Sequence, residues 1–449
     1  MNFEELRKKY PKFLYNSYNI FEEDNKICIE YDFEIENLTK FKPRIEILKK
    51  EFVFKDIKSD IVKNMVFNLG LVEAISYFKA TCSPLFFIKC GKLDSYQEKW
   101  FKKIFYLGLG EFRFINNIDI SENEFVKFIS EGEDIGFSRS TDMLDGILIP
   151  IGGGKDSNVT LELLKKYKNK SLVFRIGANE VSTNCAKVAG FENEEIVEVK
   201  RKIDKNLLEL NSKGFLNGHT PFSAMVAFLT YLTAYLLGKK YIALSNEDSA
   251  NESNVKNEKI NHQYSKTLEF ENDFREYQER YLKAEVDYFS MLRPISELQI
   301  AYLFSKLEKY HKVFKSCNVG SKKEPWYWCC NCPKCLFVFC ILSPFLYKEK
   351  LINIFGEDLF EKEDLLKTFI ELCGYGEIKP FECVGTYEEI RYSVTKTIEN
   401  IEKDKKDLPF LLKYYKKNFE LLKVDLLNKY NKNNNVPKEL ENLLKEKLF

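Results

Sequence analysis

The sequence predicts an α/β fold whose central part, residues 141–345, is a parallel sheet flanked by helices. Short apolar runs at 147–151, 171–176, 195–199 and 241–244 alternate with longer segments of helical spacing. Strands separated by helices form right-handed βαβ units, and such units build parallel sheets. Ligands of these sheets lie beyond the carboxyl ends of the strands, so we expect a site there.

The two flanking parts of the chain have different patterns. Residues 1–140 combine alternating strand patterns at 26–33 and 44–47 with helical spacing further on, and we interpret them as an N-terminal α+β domain. Residues 346–449 are charged and helical in pattern. The chain is therefore expected to consist of an N-terminal domain, a central catalytic domain and a helical C-terminal region.

The composition indicates a folded protein without a strong net charge. Of the 449 residues, 45% are hydrophobic, and 69 basic residues are balanced by 68 acidic ones, so the net charge is +1. This balance gives no general attraction to nucleic acid or membranes. No uninterrupted apolar stretch reaches the roughly 18 residues of a membrane span, and no signal-peptide pattern begins the chain. We expect a cytoplasmic protein without nucleic acid or membrane as partner; the sequence does not specify the oligomeric state.

A glycine-rich turn follows the first predicted strand of the central domain. It consists of Gly152, Gly153, Gly154, Lys155, Asp156 and Ser157. Glycines let the backbone approach a phosphate closely, and the helix that follows directs free N–H groups and its positive end at an anion. Lys155 adds a full positive charge. We interpret the turn as a phosphate-binding loop; the alternative is a strand–helix turn without a ligand.

This loop resembles the pyrophosphate loop of the ATP-pyrophosphatase (PP-loop) superfamily. The Walker A pattern fails because Asp156 follows Lys155 where Ser or Thr is required. The dinucleotide fingerprint meets Ser157 in place of its third glycine. The superfamily pattern Ser-Gly-Gly-x-Asp-Ser matches over 153–157, with Gly152 in place of the first serine. The resemblance implies an adenine nucleotide alpha-hydrolase-like fold and cleavage of ATP between its α and β phosphates.

Two further polar stretches are expected on the ligand side of the sheet. Asn217 and His219 lie just before a long apolar segment, where the alternative is a helix-start loop with Ser223 as its cap. Residues 245–252 and 261–266 follow the strand at 241–244. Carboxylates there can hold Mg²⁺, which prefers oxygen ligands and bridges ATP phosphates, and the alternative is an exposed polar loop.

Clustered cysteines suggest a metal site. Cys329, Cys332 and Cys335 have the spacing of two overlapping CxxC steps, and Cys317 can supply a fourth thiolate. A closed site of four thiolates is typical of structural Zn²⁺. The alternatives are buried free thiols or catalytic cysteines.

Together these stretches resemble the MurL-type UDP-N-acetylmuramoyl-L-alanyl-L-glutamate epimerases of bacterial cell-wall synthesis. One departure is Cys330, which stands where the family pattern has glycine. The matching segments are 150–157, 217–219, 243–247, 261–266, 292–297 and 329–335.

The resemblance implies an ATP- and Mg²⁺-dependent epimerisation. The terminal L-glutamate of UDP-MurNAc-L-Ala-L-Glu would become D-glutamate, while ATP becomes AMP and pyrophosphate. Activation of the carboxylate is needed because an enolate beside a free carboxylate would concentrate negative charge. Converting the carboxylate to an acyl adenylate removes that charge and acidifies the Cα–H bond. A base and an acid on opposite faces then complete the inversion.

Candidate residues follow from these motifs and from the resemblance. For proton transfer or catalysis they are Lys155, His219, His262 and Lys266. For ATP and Mg²⁺ they are Gly152, Gly153, Gly154, Lys155, Asp156, Ser157, Asn246 and Glu247. For the substrate they are Asn217, Tyr264 and Arg293, although Arg293 is equally suited to a structural salt bridge.

Two other classes of function remain open at the level of sequence. Another PP-loop adenylating enzyme would be an amide synthase, a nitrile-forming enzyme or a tRNA-modifying thiolase. The thiolase would need an RNA surface, which the near-zero net charge disfavours. A nucleotide-binding module without turnover would bind ATP and release no AMP.

Overall fold

A computed structural model describes residues 2–136, 139–177, 179–255 and 260–448. Within these ranges eleven strands form one mixed sheet in the order β11-β10-β7-β8-β9-β4-β2-β1-β5-β6, with β3 beside β2. The strands are β1 (Lys12–Glu23), β2 (Lys26–Ile35), β3 (Thr39–Phe41), β4 (Arg44–Leu48), β5 (Leu85–Ile88), β6 (Lys127–Ser130), β7 (Ile147–Pro150), β8 (Ser171–Ile176), β9 (Ile196–Lys202), β10 (Tyr241–Leu244) and β11 (Asp287–Ser290).

Helices cover the sheet and form the C-terminal part of the chain. The N-terminal and central helices are α1 (Phe3–Lys9), α2 (Asp60–Phe78), α3 (Ser95–Gly108), α4 (Gly110–Ile115), α5 (Glu122–Phe125), α6 (Lys155–Leu163), α7 (Glu180–Ala189), α8 (Lys205–Ser212), α9 (Phe222–Leu236), α10 (Leu268–Tyr277) and α11 (Glu297–Ser305). The remaining helices are α12 (Pro333–Leu342), α13 (Lys348–Phe355), α14 (Leu366–Leu372), α15 (Tyr387–Lys403), α16 (Phe410–Asn418) and α17 (Lys438–Leu448).

The predicted parallel sheet is one half of the observed sheet. Strands β11, β10, β7, β8 and β9 are parallel to one another. The parallel sheet predicted for the central part is confirmed. In the other half, β4 pairs with β9 in the antiparallel direction, β2 is antiparallel to both β1 and β4, and β5 is parallel to β1 and β6. Pairing with β4 covers the edge of β9, whose N–H and C=O groups would otherwise lack partners. The predicted α/β class and helical C-terminal region are confirmed.

One continuous sheet therefore passes through the N-terminal and central parts of the chain. The boundary predicted near residue 140 lies between β6 and β7. The division into three domains stays a prediction.

Helix α2 lies in the core of the N-terminal part. It is the one helix, among the described residues, that is long and apolar enough to cross a membrane, and 94% of its most apolar window is buried inside the protein. The tyrosines Tyr15 and Tyr31 of the sheet donate hydrogen bonds to its backbone at Phe67 and Val66. These contacts and its burial account for its apolar composition.

Local signals set the helix ends that matter for the site. Helix α9 begins at Phe222 after Pro221, so the prediction that Ser223 caps it is wrong. Proline has no N–H to leave unpaired and fixes the approach of the chain. Helix α7 ends at Ala189, and its C-cap residue Gly190 has φ of 95°, the left-handed conformation that glycine adopts at low cost.

Candidate active site

A cleft of about 460 Å³ opens at the carboxyl ends of β7, β8 and β10. The strand order reverses there, because β8 and β9 lie on one side of β7 and β10 and β11 on the other. Such a switch point is where ligands bind in open α/β sheets. The lining includes Gly152, Gly154, Asp156, Ser157, Ser245, Asn246, Glu247, Lys266, Glu297 and Cys383. The expected crevice between the glycine loop and residues 245–247 is confirmed.

The glycine loop forms one wall of this cleft. Gly154 is the N-cap residue of α6, so the free N–H groups of the first helical turn lie beside the cleft. Gly153 has φ of +87°, and a Cβ there would lie 2.7 Å from Val181 Cγ1. A Cβ at Gly152 would meet no atom within 4 Å, which leaves open space beside the loop. The loop has the shape of an anion cradle.

Lys155 lies behind the loop and is paired with protein carboxylates. Its side chain is 1% exposed, and its Nζ donates hydrogen bonds to Asp156 and Glu297. Burial alone would lower the Lys155 pKa, but these two carboxylates outweigh burial and raise it. The ammonium is therefore charged. Its predicted contact with a phosphate stays a prediction.

Three carboxylates converge at the floor of the cleft. Oxygens of Asp156, Glu247 and Glu297 lie within 4.8 Å of one another. Burial raises the pKa of Glu297 above its ordinary value; Lys155 opposes this shift, and the two neighbouring carboxylates add to it. A bound divalent cation would relieve the repulsion, and three oxygens match what Mg²⁺ prefers. We call these residues the carboxylate trio.

A second polar group, the thiol–histidine cluster, consists of Cys383, Lys266, His262, Glu111 and His219. Lys266 Nζ lies 3.0 Å from Cys383 Sγ, and Nδ1 of His262 is hydrogen-bonded to Glu111. The rings of His262 and His219 lie 4.2 Å apart between centroids. Four of these five residues come from loops or short turns, and Glu111 comes from α4.

The electrostatics of this cluster separate its members into charged and neutral groups. Burial alone would raise the pKa of Cys383, but Lys266, His262 and Lys334 outweigh burial and lower it to about 6. Burial would lower the pKa of His262, but Cys383 and Glu111 raise it to about 9. At neutral pH this combination favours a thiolate beside an imidazolium.

His219 behaves in the opposite way to His262. Burial lowers its pKa to about 3, and the positive charges of His262, Lys79 and Lys266 add to that shift. His219 is therefore neutral at physiological pH. Lys79 fixes the backbone beside it by donating to Gly218 O and to Thr220 Oγ1.

Arg293 is wholly buried behind the cleft and positions two of its walls. Its exposed fraction is 0%, and its guanidinium donates to the carbonyls of Glu247 and Lys266, at 2.5 and 2.6 Å, and to Glu271. These bonds engage both terminal nitrogens of the guanidinium, and Nε is buried without a partner. Of the two predicted roles, the structure favours the structural salt bridge.

Four cysteines form a compact four-thiol cluster. The Sγ–Sγ distances are 3.8 Å for Cys317 and Cys332, 3.8 Å for Cys329 and Cys335, and 3.5 Å for Cys332 and Cys335. A tetrahedral zinc site with a metal–sulfur distance of about 2.3 Å places its sulfurs about 3.8 Å apart. Cys330 is not part of this cluster, and its Sγ donates a hydrogen bond to Phe355 O instead.

Two family models match the chain: the MurL N-terminal domain over residues 4–291 and the MurL C-terminal domain over residues 313–425. The chain belongs to the MurL family. This confirms the resemblance seen in the sequence.

Curated relatives in the MurL family are named UDP-N-acetyl-alpha-D-muramoyl-L-alanyl-L-glutamate epimerase. The relative from Xanthomonas oryzae pv. oryzae is 33% identical over 329 residues, which is 72% of this chain and 72% of the relative. A relative from Micromonospora sp. is 34% identical over 326 residues, again 72% of each chain. One from Salinispora tropica is 39% identical over 246 residues, 54% of this chain and 53% of the relative. No solved structure matches the chain.

The MurL fold brings most of the predicted site residues together, with two exceptions. Asn217 is exposed, and its Oδ1 accepts a hydrogen bond from the next backbone N–H. Tyr264 is 5% exposed and packs in the larger hydrophobic core. Its prediction as a substrate ligand does not fit this position, since a substrate in the cleft has no access to a core side chain.

Sequence reasoning missed several residues of the MurL cleft and its surroundings. Glu297 lies inside the matched segment 292–297, but nothing local indicates that it meets Lys155. Lys334 lies inside the matched segment 329–335, where only the cysteines were assigned a role, whereas Glu111 and Cys383 lie outside every matched segment. No local pattern in the sequence indicates that Glu111 and Cys383 meet the site.

Proposed function

We propose that the chain catalyses ATP-dependent epimerisation of the terminal L-glutamate of UDP-MurNAc-L-Ala-L-Glu to D-glutamate, in peptidoglycan precursor synthesis. The observation that carries the proposal is the MurL match over residues 4–291 and 313–425, with curated relatives named for this epimerase. The enzyme is accordingly an isomerase. A cytoplasmic location fits its twelve free cysteines, because thiols stay reduced there.

The glycine loop supports ATP as the second substrate. Its open space at Gly152 and the free N–H groups at the start of α6 suit a phosphate group. The PP-loop assignment adds that ATP is cleaved between its α and β phosphates. The substrate carboxylate beside Cα then becomes an acyl adenylate, and pyrophosphate leaves.

The carboxylate trio supports Mg²⁺ as the cation that accompanies ATP. Asp156, Glu247 and Glu297 would hold it, and it would neutralise charge on the phosphate oxygens. Lys155 keeps two of the three carboxylates in place through its hydrogen bonds. The N-terminus of α6 would thus bind the anionic phosphates, and the adjacent carboxylate trio would bind the Mg²⁺ cation.

The reaction test follows both products. Purified protein is incubated with ATP, Mg²⁺ and UDP-MurNAc-L-Ala-L-Glu, and AMP release and the chirality of glutamate after hydrolysis are measured. We expect AMP, pyrophosphate and D-glutamate. ATP binding without AMP would favour a nucleotide-binding module, and AMP with L-glutamate only would favour another adenylating enzyme; either result contradicts the proposal.

We also propose that the four-thiol cluster binds one structural zinc ion. Cys332→Ser removes a central ligand, so we expect loss of zinc and a lower free energy of unfolding, since zinc binding contributes directly to folding. Metal analysis and denaturant unfolding measure both. Cys330→Ser is the matched control, because Cys330 bonds to Phe355 O instead and zinc should be retained. Equal zinc contents in the two variants would contradict the assignment.

A further inference from the structure

Cys383 occupies a position in the cleft that the proposed function does not use. It is partly exposed and lines the same cleft as the glycine loop and the carboxylate trio. Lys266 Nζ lies 3.0 Å from its sulfur, and Lys334 Nζ donates to its backbone carbonyl. The positive charge of His262 also acts on the thiol and lowers the pKa of Cys383. Cations thus surround a thiol that a substrate can reach.

This environment distinguishes Cys383 from the other cysteines. In the described part of the chain, the cleft lining contains one other cysteine, Cys317, which belongs to the four-thiol cluster. Cys90 has a similar intermediate exposure but no cationic partner, and burial raises its pKa to about 12. Reactive cysteines are recognised by electropositive, partly exposed surroundings, and Cys383 has both properties.

We propose that Cys383 is the base that removes the Cα proton of the terminal glutamate on one face, with Lys266 and His262 as positioning residues for its sulfur. The inference rests on the proposed epimerase function. A general base is most effective when its pKa lies near the operating pH, so that it is deprotonated and still accepts a proton readily. A serine or alanine side chain at this position has no group with a pKa near the operating pH.

The proton and electron balance of the step is simple. The Cα–H bond breaks, its electron pair stays on carbon as the enolate of the acyl adenylate, and the proton forms an S–H bond on Cys383. A proton from solvent then reaches Cα on the opposite face. The Cys383 thiol returns its proton to solvent, which restores the thiolate. Hydrolysis of the adenylate releases AMP.

The test separates adenylation from proton transfer. Wild type, Cys383→Ser and the control Cys90→Ser are incubated with ATP, Mg²⁺ and UDP-MurNAc-L-Ala-L-Glu in D₂O. Pyrophosphate release and deuterium at glutamate Cα are measured by mass spectrometry. For Cys383→Ser we expect deuterium incorporation to fall by about 10²–10⁴-fold and pyrophosphate release to stay within about threefold of wild type. Cys90→Ser should match wild type in both.

Three other outcomes would contradict the proposals. If Cys383→Ser keeps a third or more of the deuterium incorporation, by an approximate threshold, Cys383 is not the base. A parallel fall of both rates would assign it a structural role. Absence of pyrophosphate and deuterium in the wild type would overturn the proposed function itself, independently of any variant.

A second readout needs no substrate. Iodoacetamide alkylation of the intact protein, mapped by mass spectrometry, should reach half its maximal rate at Cys383 near pH 6, whereas Cys90 stays unreactive at neutral pH. The reason is that only the thiolate reacts. The charged groups that act on Cys383 or its partners include Lys266, His262, Lys334, Glu382, Glu111, Glu247 and Asp156. Lys266→Met should move the midpoint to higher pH; an unchanged midpoint would contradict its role.

Discussion

Replacing Glu247 by glutamine is expected to slow ATP-dependent pyrophosphate release by about 10²–10³-fold, while the variant folds like the parent. Glu247 belongs to the carboxylate trio and lines the cleft. Its Oε1 accepts a hydrogen bond from Ser249, which a glutamine amide oxygen can also accept. The substitution thus removes one negative charge from the proposed Mg²⁺ site and leaves the shape unchanged. A Mg²⁺ titration should show weaker apparent affinity with partial recovery at high concentration.

Glu247 is the most informative member of the trio to change. Glu297 and Asp156 are both hydrogen-bonded to buried Lys155, so removing either charge also breaks a buried pair and costs about 3–5 kcal/mol of stability. Asp248→Asn is the matched control, because Asp248 is the next carboxylate in the chain and bonds to Asn431 outside the trio. If both variants lose pyrophosphate release equally, the trio is not the cation site.

Local sequence signals predicted the strands and the cleft well. The runs at 171–176 and 241–244 match β8 and β10 residue for residue. A continuous apolar run predicts a buried strand. The carboxyl ends of neighbouring parallel strands lie at the same edge of the sheet, so the position of the cleft follows once the strands are predicted. The glycine loop was equally predictable, because all of its residues are adjacent in the sequence.

Contacts between distant parts of the chain were not predictable in this way. The pairing of Lys155 with Glu297 spans 142 residues, and that of His262 with Glu111 spans 151. No pattern within a window of one helix or strand reports such a meeting. The antiparallel pairing of β4 with β9 also joins segments that are distant in the sequence, so it was not predictable either. Consequently the sequence singled out Lys155 and His262 as candidate site residues but gave them no partners.

Burial was the second property that the sequence left undecided. Arg293 and Tyr264 lie in matched segments, and both types of side chain commonly bind ligands. The fold places Arg293 at 0% exposure and Tyr264 at 5%. A matched motif thus includes residues that hold the site in place as well as residues that line it, and only the packing of α10 and α11 around them separates the two kinds.

Gly153→Ala is expected to reduce ATP affinity by about 100-fold or more and to lower stability by about 1–3 kcal/mol. Gly153 has φ of +87°, and the added Cβ would lie 2.7 Å from Val181 Cγ1 and 3.1 Å from the Ser182 backbone nitrogen. The loop must shift, and with it the free N–H groups at the start of α6. Isothermal titration with ATP and thermal unfolding measure the two effects.

Gly152→Ala is the matched control in the same loop. Its Cβ would meet no atom within 4 Å, and the residue does not need a positive φ, so its stability should stay within about 0.5 kcal/mol of the parent. Gly152→Ser, which restores the serine usual in PP-loop sequences, fits the same space and should retain ATP binding. Equal losses of stability at both glycines would mean that Gly153 is not conformationally required. A loss of ATP affinity at Gly152 alone would instead contradict the assignment of the loop's backbone as the phosphate cradle.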